Sequence, residues 1–297
     1  NMNIYEKFQN WRCKRKQLNT VLVIPSESNQ VLELHFNLWD SDCNNLHCLD
    51  IGILSPIFAE NGFIDLFVPG IYKKNCIINL GKSIKDENIA KNIFNGAVKV
   101  ESETNASNIT RSVVKKFEDE ENPFYLFLDN FESLLDKNDY ITQIRLPINK
   151  KNYSQASKIY FRIRILNIDK NKFSVCSKSW SRFFVPYCEK SAVFDFRIND
   201  PKLLNSKKCE ELDNAKVSFD KVHFLFINDI GESVCLNNGT LKVRVFESHN
   251  WGDYIKPSSK IAKTMLAYHV SDKLDQHKNK SFGSSSVERS LFLSILL

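Results

Sequence analysis

Three groups of side chains have the types and spacing to do chemistry. Cys43, His47 and Cys48 lie close together, with His35 on the preceding predicted strand, and thiolate and imidazole are the donors that zinc takes. A structural zinc site needs two ligand pairs at knuckle spacing, and no second Cys-x-x-Cys or His-x-x-x-His pair exists to complete it. The simpler reading is a loop that holds two thiols and an imidazole, so no metal or other cofactor is expected.

The second group is the polar string Glu247 to Asp253, which contains Ser248, His249 and Trp251. Adjacent residues of an extended segment point to opposite faces, so Ser248 and His249 cannot form the hydrogen-bonded pair that activates a hydroxyl. A capped strand end with a buried Trp251 is the simpler reading. His249 and Trp251 stay as candidate binding residues, and His249 as the base of an alternative hydrolase.

The third group is cationic. Arg162, Arg164, Arg197, Lys242 and Arg244 fall at outward positions of predicted strands, with Tyr160 and Phe246 interleaved. On neighbouring strands they form a basic sheet face able to carry phosphates, nucleic acid or an anionic lipid surface. Ordinary sheets also place cations outside, where they guard edges against pairing.

Other chemistry is excluded. The nine glycines are scattered, and no two lie close enough to build a phosphate-cradling loop. No carboxylate pair stands with a lysine in the Asp then Glu-x-Lys order of metal-dependent nucleases; Glu101 and Glu103 come nearest and lack the lysine.

The elements that must position these groups are mostly strands. Thr20 to Ile24, Val31 to Trp39, Leu49 to Leu54, Phe63 to Val68 and Cys76 to Leu80 are broken by Pro25, Pro56, Asn61-Gly62 and Pro69-Gly70. Pro123 to Asp129 and Tyr140 to Leu146 follow. Ile159, Phe161, Ile163 and Ile165 alternate with Tyr160, Arg162 and Arg164, the pattern of a half-buried strand. Val193 to Ile198, Val222 to Ile227 and Leu241 to Phe246 complete the set, with Asn238-Gly239 as a hairpin turn. Helices are expected at Ile4 to Trp11, at Asp86 to Phe94, and after Pro257, where Ile261, Met265 and Tyr268 recur at helical spacing.

Two stretches echo each other. Leu126, Phe127 and Leu128 match Leu225, Phe226 and Ile227, and at the same offset Ile144, Arg145 and Leu146 match Val243, Arg244 and Val245. Phe67, Val68 and Pro69 match Phe184, Val185 and Pro186 at a longer offset, which makes residues 83–123 extra material in the first copy. The expected architecture is therefore mainly β: two tandem antiparallel β-sandwich-like domains, residues 18–150 and 155–256, from an internal duplication. A helix over 1–17 and a helix, linker and apolar tail over 257–297 flank them, and 83–123 is a surface insertion and candidate functional loop.

A net charge of +6 and 42% hydrophobic residues suit a soluble globular protein with a mild preference for anionic partners. The eight cysteines do not correspond between the two copies, which favours reduced thiols in the cytoplasm. The stretch Ser290 to Leu297 is strongly apolar; it reads as a terminal strand or helix, or as the approach to a membrane segment, with Lys278, Lys280 and Arg289 placing the domains on the cytoplasmic side. The leading expectation is a non-enzymatic cytosolic binding or sensor module for a protein, an anionic ligand or a membrane surface. A nucleic-acid-binding protein using the basic face is the first alternative, and a hydrolase, metal-dependent in one version, the second.

Overall fold

Leu32, Leu34, Phe36 and Leu38 alternate with Glu33, His35, Asn37 and Trp39 along one strand, and apart from the half-buried Glu33 every one of these side chains is buried. A strand covered on both faces belongs inside a layered fold. The computed structural model describes residues 20–41, 46–58, 62–104, 110–117, 119–136, 140–148, 153, 157–169, 173–178, 190–200, 204–230, 235–236, 242–246, 251–255, 264–273 and 289–296.

In chain order the strands are β1 (Leu22–Pro25), β2 (Val31–Ser41), β3 (Leu46–Pro56), β4 (Gly62–Pro69), β5 (Ile77–Asn79), β6 (Val98–Thr104), β7 (Thr110–Lys116), β8 (Asp119–Leu126) and β9 (Glu132–Asp136). There follow β10 (Ile141–Ile148), β11 (Lys158–Leu166), β12 (Ser174–Lys178), β13 (Lys190–Ile198), β14 (Ser218–Asp229), β15 (Cys235–Leu236), β16 (Lys242–Val245), β17 (Met265–Lys273) and β18 (Arg289–Leu296). The helices are α1 (Glu87–Phe94), α2 (Ser206–Ala215) and α3 (Gly252–Ile255). The protein is thus mainly β.

A ten-stranded sheet runs β16-β17-β14-β2-β3-β11-β8-β7-β6, with β5 also pairing β11. Two four-stranded sheets run β1-β4-β10-β9 and β12-β13-β18-β15. One face of the large sheet, carrying Leu34, Ile51, Phe161 and Phe224, shares a buried cluster with Ile64, Leu66 and Ile144 of the first small sheet and with Phe196 and Ile198 of β13. The other face, carrying Trp39, Tyr160 and Ile227, is covered by Ile84, Ile89 and Ala90 in and before α1, and by Trp251, Tyr254 and Ile255 in and beside α3. Asp86 caps α1 by accepting from the backbone N–H groups of Asn88 and Ile89, and Asn95 ends it in the left-handed region.

The sheet crosses the expected domain boundary. β11 pairs antiparallel with β3 from Lys158 opposite Pro56 to Leu166 opposite Cys48, and β14 pairs parallel with β2 from Ser218 opposite Val31 to Asn228 opposite Asp40. The side-chain amide of Asn199 also holds β1, accepting from the N–H of Val23 at 2.8 Å and donating to its carbonyl at 3.2 Å. Residues 18–150 and 155–256 therefore do not each enclose an interior of their own. The matched segments sit in different surroundings: Leu126 ends β8 while Leu225–Ile227 lies within β14, and Ile144–Leu146 is flanked by strands on both sides while Val243–Val245 belongs to the edge strand β16.

Other expectations are corrected. Met265 to Tyr268 belongs to β17, not to a helix, because this short apolar run fits either period and full-length pairing with β14 decides it. Within 83–123 the expected helix is present, yet the polar part forms β6 and β7, where Glu101 takes Lys115 and Lys99 at 2.6 and 2.8 Å. The apolar run near the C-terminus is strand β18, paired with β13 and β15. Among the described residues no helix is long and apolar enough to cross a membrane. The helix over 1–17, Cys43, Ser248, His249 and the Asn238-Gly239 turn lie outside the described residues.

Candidate functional site

The second face of the large sheet is where the polar chemistry gathers. Arg162 and Arg164 on β11 are 1% and 3% exposed, so they are interior cations and not the outward ones that strict alternation predicts. A buried cation needs a fixed counter-charge. Asp50, directly across on β3, supplies it: Arg164 donates Nε to Oδ1 at 2.6 Å and Nη2 to Oδ2 at 2.9 Å. Asp50 also accepts from Trp39 Nε1 and from the Tyr254 hydroxyl, both at 2.9 Å. Arg164 turns its remaining Nη1 donor to the carbonyls of Tyr254 and Ile255, which pins α3 onto the sheet.

From there the network runs sideways. Arg162 donates Nε to the Tyr254 hydroxyl at 2.9 Å and Nη1 to the Tyr160 hydroxyl at 3.2 Å. The Tyr160 hydroxyl lies 3.1 Å from His35 Nδ1, and His35 Nε2 lies 2.9 Å from Glu33 Oε1. His223, level with His35 on the parallel neighbour β14, brings Nε2 to 3.7 Å from Glu33 Oε1 and Nδ1 to 3.3 Å from His269 Nε2 on β17.

Gly52 makes this crossing possible. It lies opposite both His35 and Arg162, and a Cβ there would overlap the Tyr160 hydroxyl and come within 2.8 Å of Arg162 Nη1. Gly52→Ala is expected to destabilise the protein by about 1–3 kcal/mol, the usual result of overpacking a filled interior. The midpoint of urea unfolding checks this, and an unchanged midpoint contradicts it.

Electrostatics follow burial. Burial alone would raise the Glu33 carboxyl, but the hydrogen bond and charge of His35, with Lys116 and Lys221, hold it well below the usual carboxylate range. Burial pushes His35 down, with Arg162 and Lys116 adding to it against Glu33. Burial likewise brings His223 to about 4, helped by His35, and His269 to about 4, helped by His223 and Arg244. The floor therefore presents an ionised carboxylate beside three neutral imidazoles at pH 7.

These groups floor a cavity of about 520 Å³. Glu33, His35, Asn37, His223 and His269 rise from the sheet, Lys91 to Gly96 descend from the end of α1, and Phe246 and Trp251 form an aromatic wall with Arg244 beside it. Trp39 packs behind this wall, its ring 5.4 Å from Phe246 and 5.7 Å from Trp251. Polar groups converging in a concave aromatic pocket are the usual anatomy of a small-molecule site.

The sequence candidates divide accordingly. Trp251 is buried, as its reading as a core aromatic requires, and it borders the cavity; Arg244 lines the cavity directly. Tyr160, Arg162 and Arg164 belong to the buried network beneath it. Arg197 is also buried and pairs with Asp200, away from the cavity lining, while Lys242 is exposed opposite His269. The basic sheet face is thereby reduced to Lys242 and Arg244. His47 binds Asp40 at 3.1 Å and Cys48 is buried, and neither belongs to a metal-ligand cluster among the described residues.

Glu33, His223 and His269 were not singled out by sequence, and Asp50 and Gly52 were read only as parts of a strand. A lone aspartate and glycine inside the apolar run Leu49–Leu54 were the available signal. The meeting of His35 with His223 has no local signal, because it depends on a parallel pairing between distant strands. Comparison with protein-family models and with curated proteins finds no match to this chain.

Proposed function

We propose that the protein is a binding or sensor module that receives a small anionic aromatic molecule in the cavity between α1 and the large sheet. The observation that carries this reading is the cavity itself: about 520 Å³, walled by Phe94, Phe246 and Trp251, with Arg244 and Lys91 at its border and amide and imidazole groups converging from the floor. Aromatic walls take a planar apolar body, and the two cations select for a negative group. Arg244 has no ion pair among the described residues, whereas Lys91 lies 3.8 Å from Glu87, so Arg244 is the principal anion partner. The cytoplasmic setting expected from the eight unmatched cysteines stays part of this reading.

The test is a titration with 8-anilinonaphthalene-1-sulfonate, an anionic aromatic dye, followed by fluorescence. Saturable binding at one site is expected, weakened about tenfold or more by Arg244→Glu. Absence of saturable binding, or an affinity that Arg244→Glu leaves unchanged, overturns the reading.

A further inference from the structure

From the convergence of Glu33, His35 and His223 on the cavity floor we infer a binding site for a divalent first-row transition-metal ion, held by two imidazoles and one carboxylate, with its open positions facing the cavity. The site goes beyond the proposed ligand reading and does not depend on which organic molecule enters.

Local structure explains how one face gathers the donors. Glu33 and His35 are two apart on β2 and therefore project to the same side. The parallel register sets His223 level with His35 on β14. One ligand atom from each of the three residues lies within 4.8 Å of the others, with Glu33 Oε1 at 2.9 Å from His35 Nε2 and 3.7 Å from His223 Nε2. Around an ion with bonds of roughly 2.1 Å, neighbouring ligand atoms stand roughly 3.0–3.4 Å apart, so the widest pair, up to 4.8 Å apart, must draw in by up to about 1.4 Å, within the reach of side-chain rotation. The 3.7 Å separation is too long for a hydrogen bond, so His223 and Glu33 are not already joined as a donor and acceptor pair.

The surroundings match what metal-bound imidazoles need, a partner for the second ring nitrogen. His35 Nδ1 faces the Tyr160 hydroxyl at 3.1 Å, itself fixed by Arg162, and His223 Nδ1 faces His269 Nε2 at 3.3 Å. Both metal-facing nitrogens are then the Nε2 atoms, which are the two aimed at Glu33. Two imidazoles with one carboxylate suit zinc, iron or cobalt more than calcium or magnesium, which prefer all-oxygen sets.

The experiment uses the full chain treated with chelator and then dialysed. Zn²⁺ is titrated by calorimetry and Co²⁺ by its visible d–d absorption. One equivalent is expected for each ion. Glu33→Gln and His223→Ala are expected to abolish it, and His269→Ala to weaken it by about 10–100-fold. His47→Ala, in the other histidine–carboxylate pair, is expected to bind fully. Circular dichroism confirms the fold of each variant, and the wild-type stoichiometry stands without any of them. No binding by folded wild-type protein, or full binding by folded Glu33→Gln and His223→Ala, overturns the inference. Dye binding without metal defeats the metal site alone, and metal binding without dye defeats the proposed ligand alone.

Discussion

Asp50→Asn is expected to destabilise the protein by about 3–5 kcal/mol, read as a lower midpoint of urea unfolding at pH 7. Removing one member of a buried ion pair leaves the other charge uncompensated, and that loss exceeds the value of the pair itself. Here the loss is compounded, because Asp50 is wholly buried and serves Arg164 at two oxygens while lying 3.7 Å from Arg162 Nη2. Among the described residues Nη2 of Arg162 has no hydrogen-bond partner, and Asp50 is its counter-charge. Burial alone would raise the Asp50 carboxyl, but Arg164 and then Arg162 outweigh it and set its folded value below the unfolded 3.8. A carboxyl depressed on folding contributes stability above 3.8 that vanishes as pH falls through the folded value. Wild type and Asp50→Asn should therefore converge only in that acid range, and convergence at neutral pH would contradict the network.

Trp39→Ala is expected to cost about 3–5 kcal/mol and to weaken dye binding as well. The first effect is the cavity left by a fully buried indole, together with the lost Nε1 donor to Asp50. The second follows from packing: Trp39 backs Phe246 and Trp251, and those two rings form the aromatic wall. A variant that loses stability but binds dye with wild-type affinity would show that the wall does not lean on Trp39.

Much of the strand plan was legible in the chain. Val31 to Trp39, Phe63 to Val68 and Val222 to Ile227 lie within strands of the structure, and α1 falls where the helix of Asp86 to Phe94 is expected. Apolar alternation and turn residues are local signals, and they survive tertiary packing. The pairing of these strands is non-local and was misread. The short matches between the halves suggested two closed units, while register places β11 beside β3 and β14 beside β2 in one sheet.

The site suffered from the same limit. Alternation at Tyr160, Arg162 and Arg164 assigns those side chains to the face opposite Ile159 and Phe161, and that much holds. It does not reveal that α1 and α3 cover this face as well, which turns outward cations into buried ones. Arg244 and Trp251, two of the sequence candidates, line the cavity. Glu33, His35, His223 and His269 become a site only when three neighbouring strands bring them together.

The cavity as a ligand site is tested most directly by nuclear magnetic resonance of histidine ring-labelled protein during titration with 8-anilinonaphthalene-1-sulfonate. His35, His223 and His269 share the cavity, while His47 pairs with Asp40 and does not line it. The predicted result is that the three cavity imidazoles shift together and saturate at one equivalent while His47 stays still. Saturable binding that moves His47 and leaves the other three unchanged would contradict it.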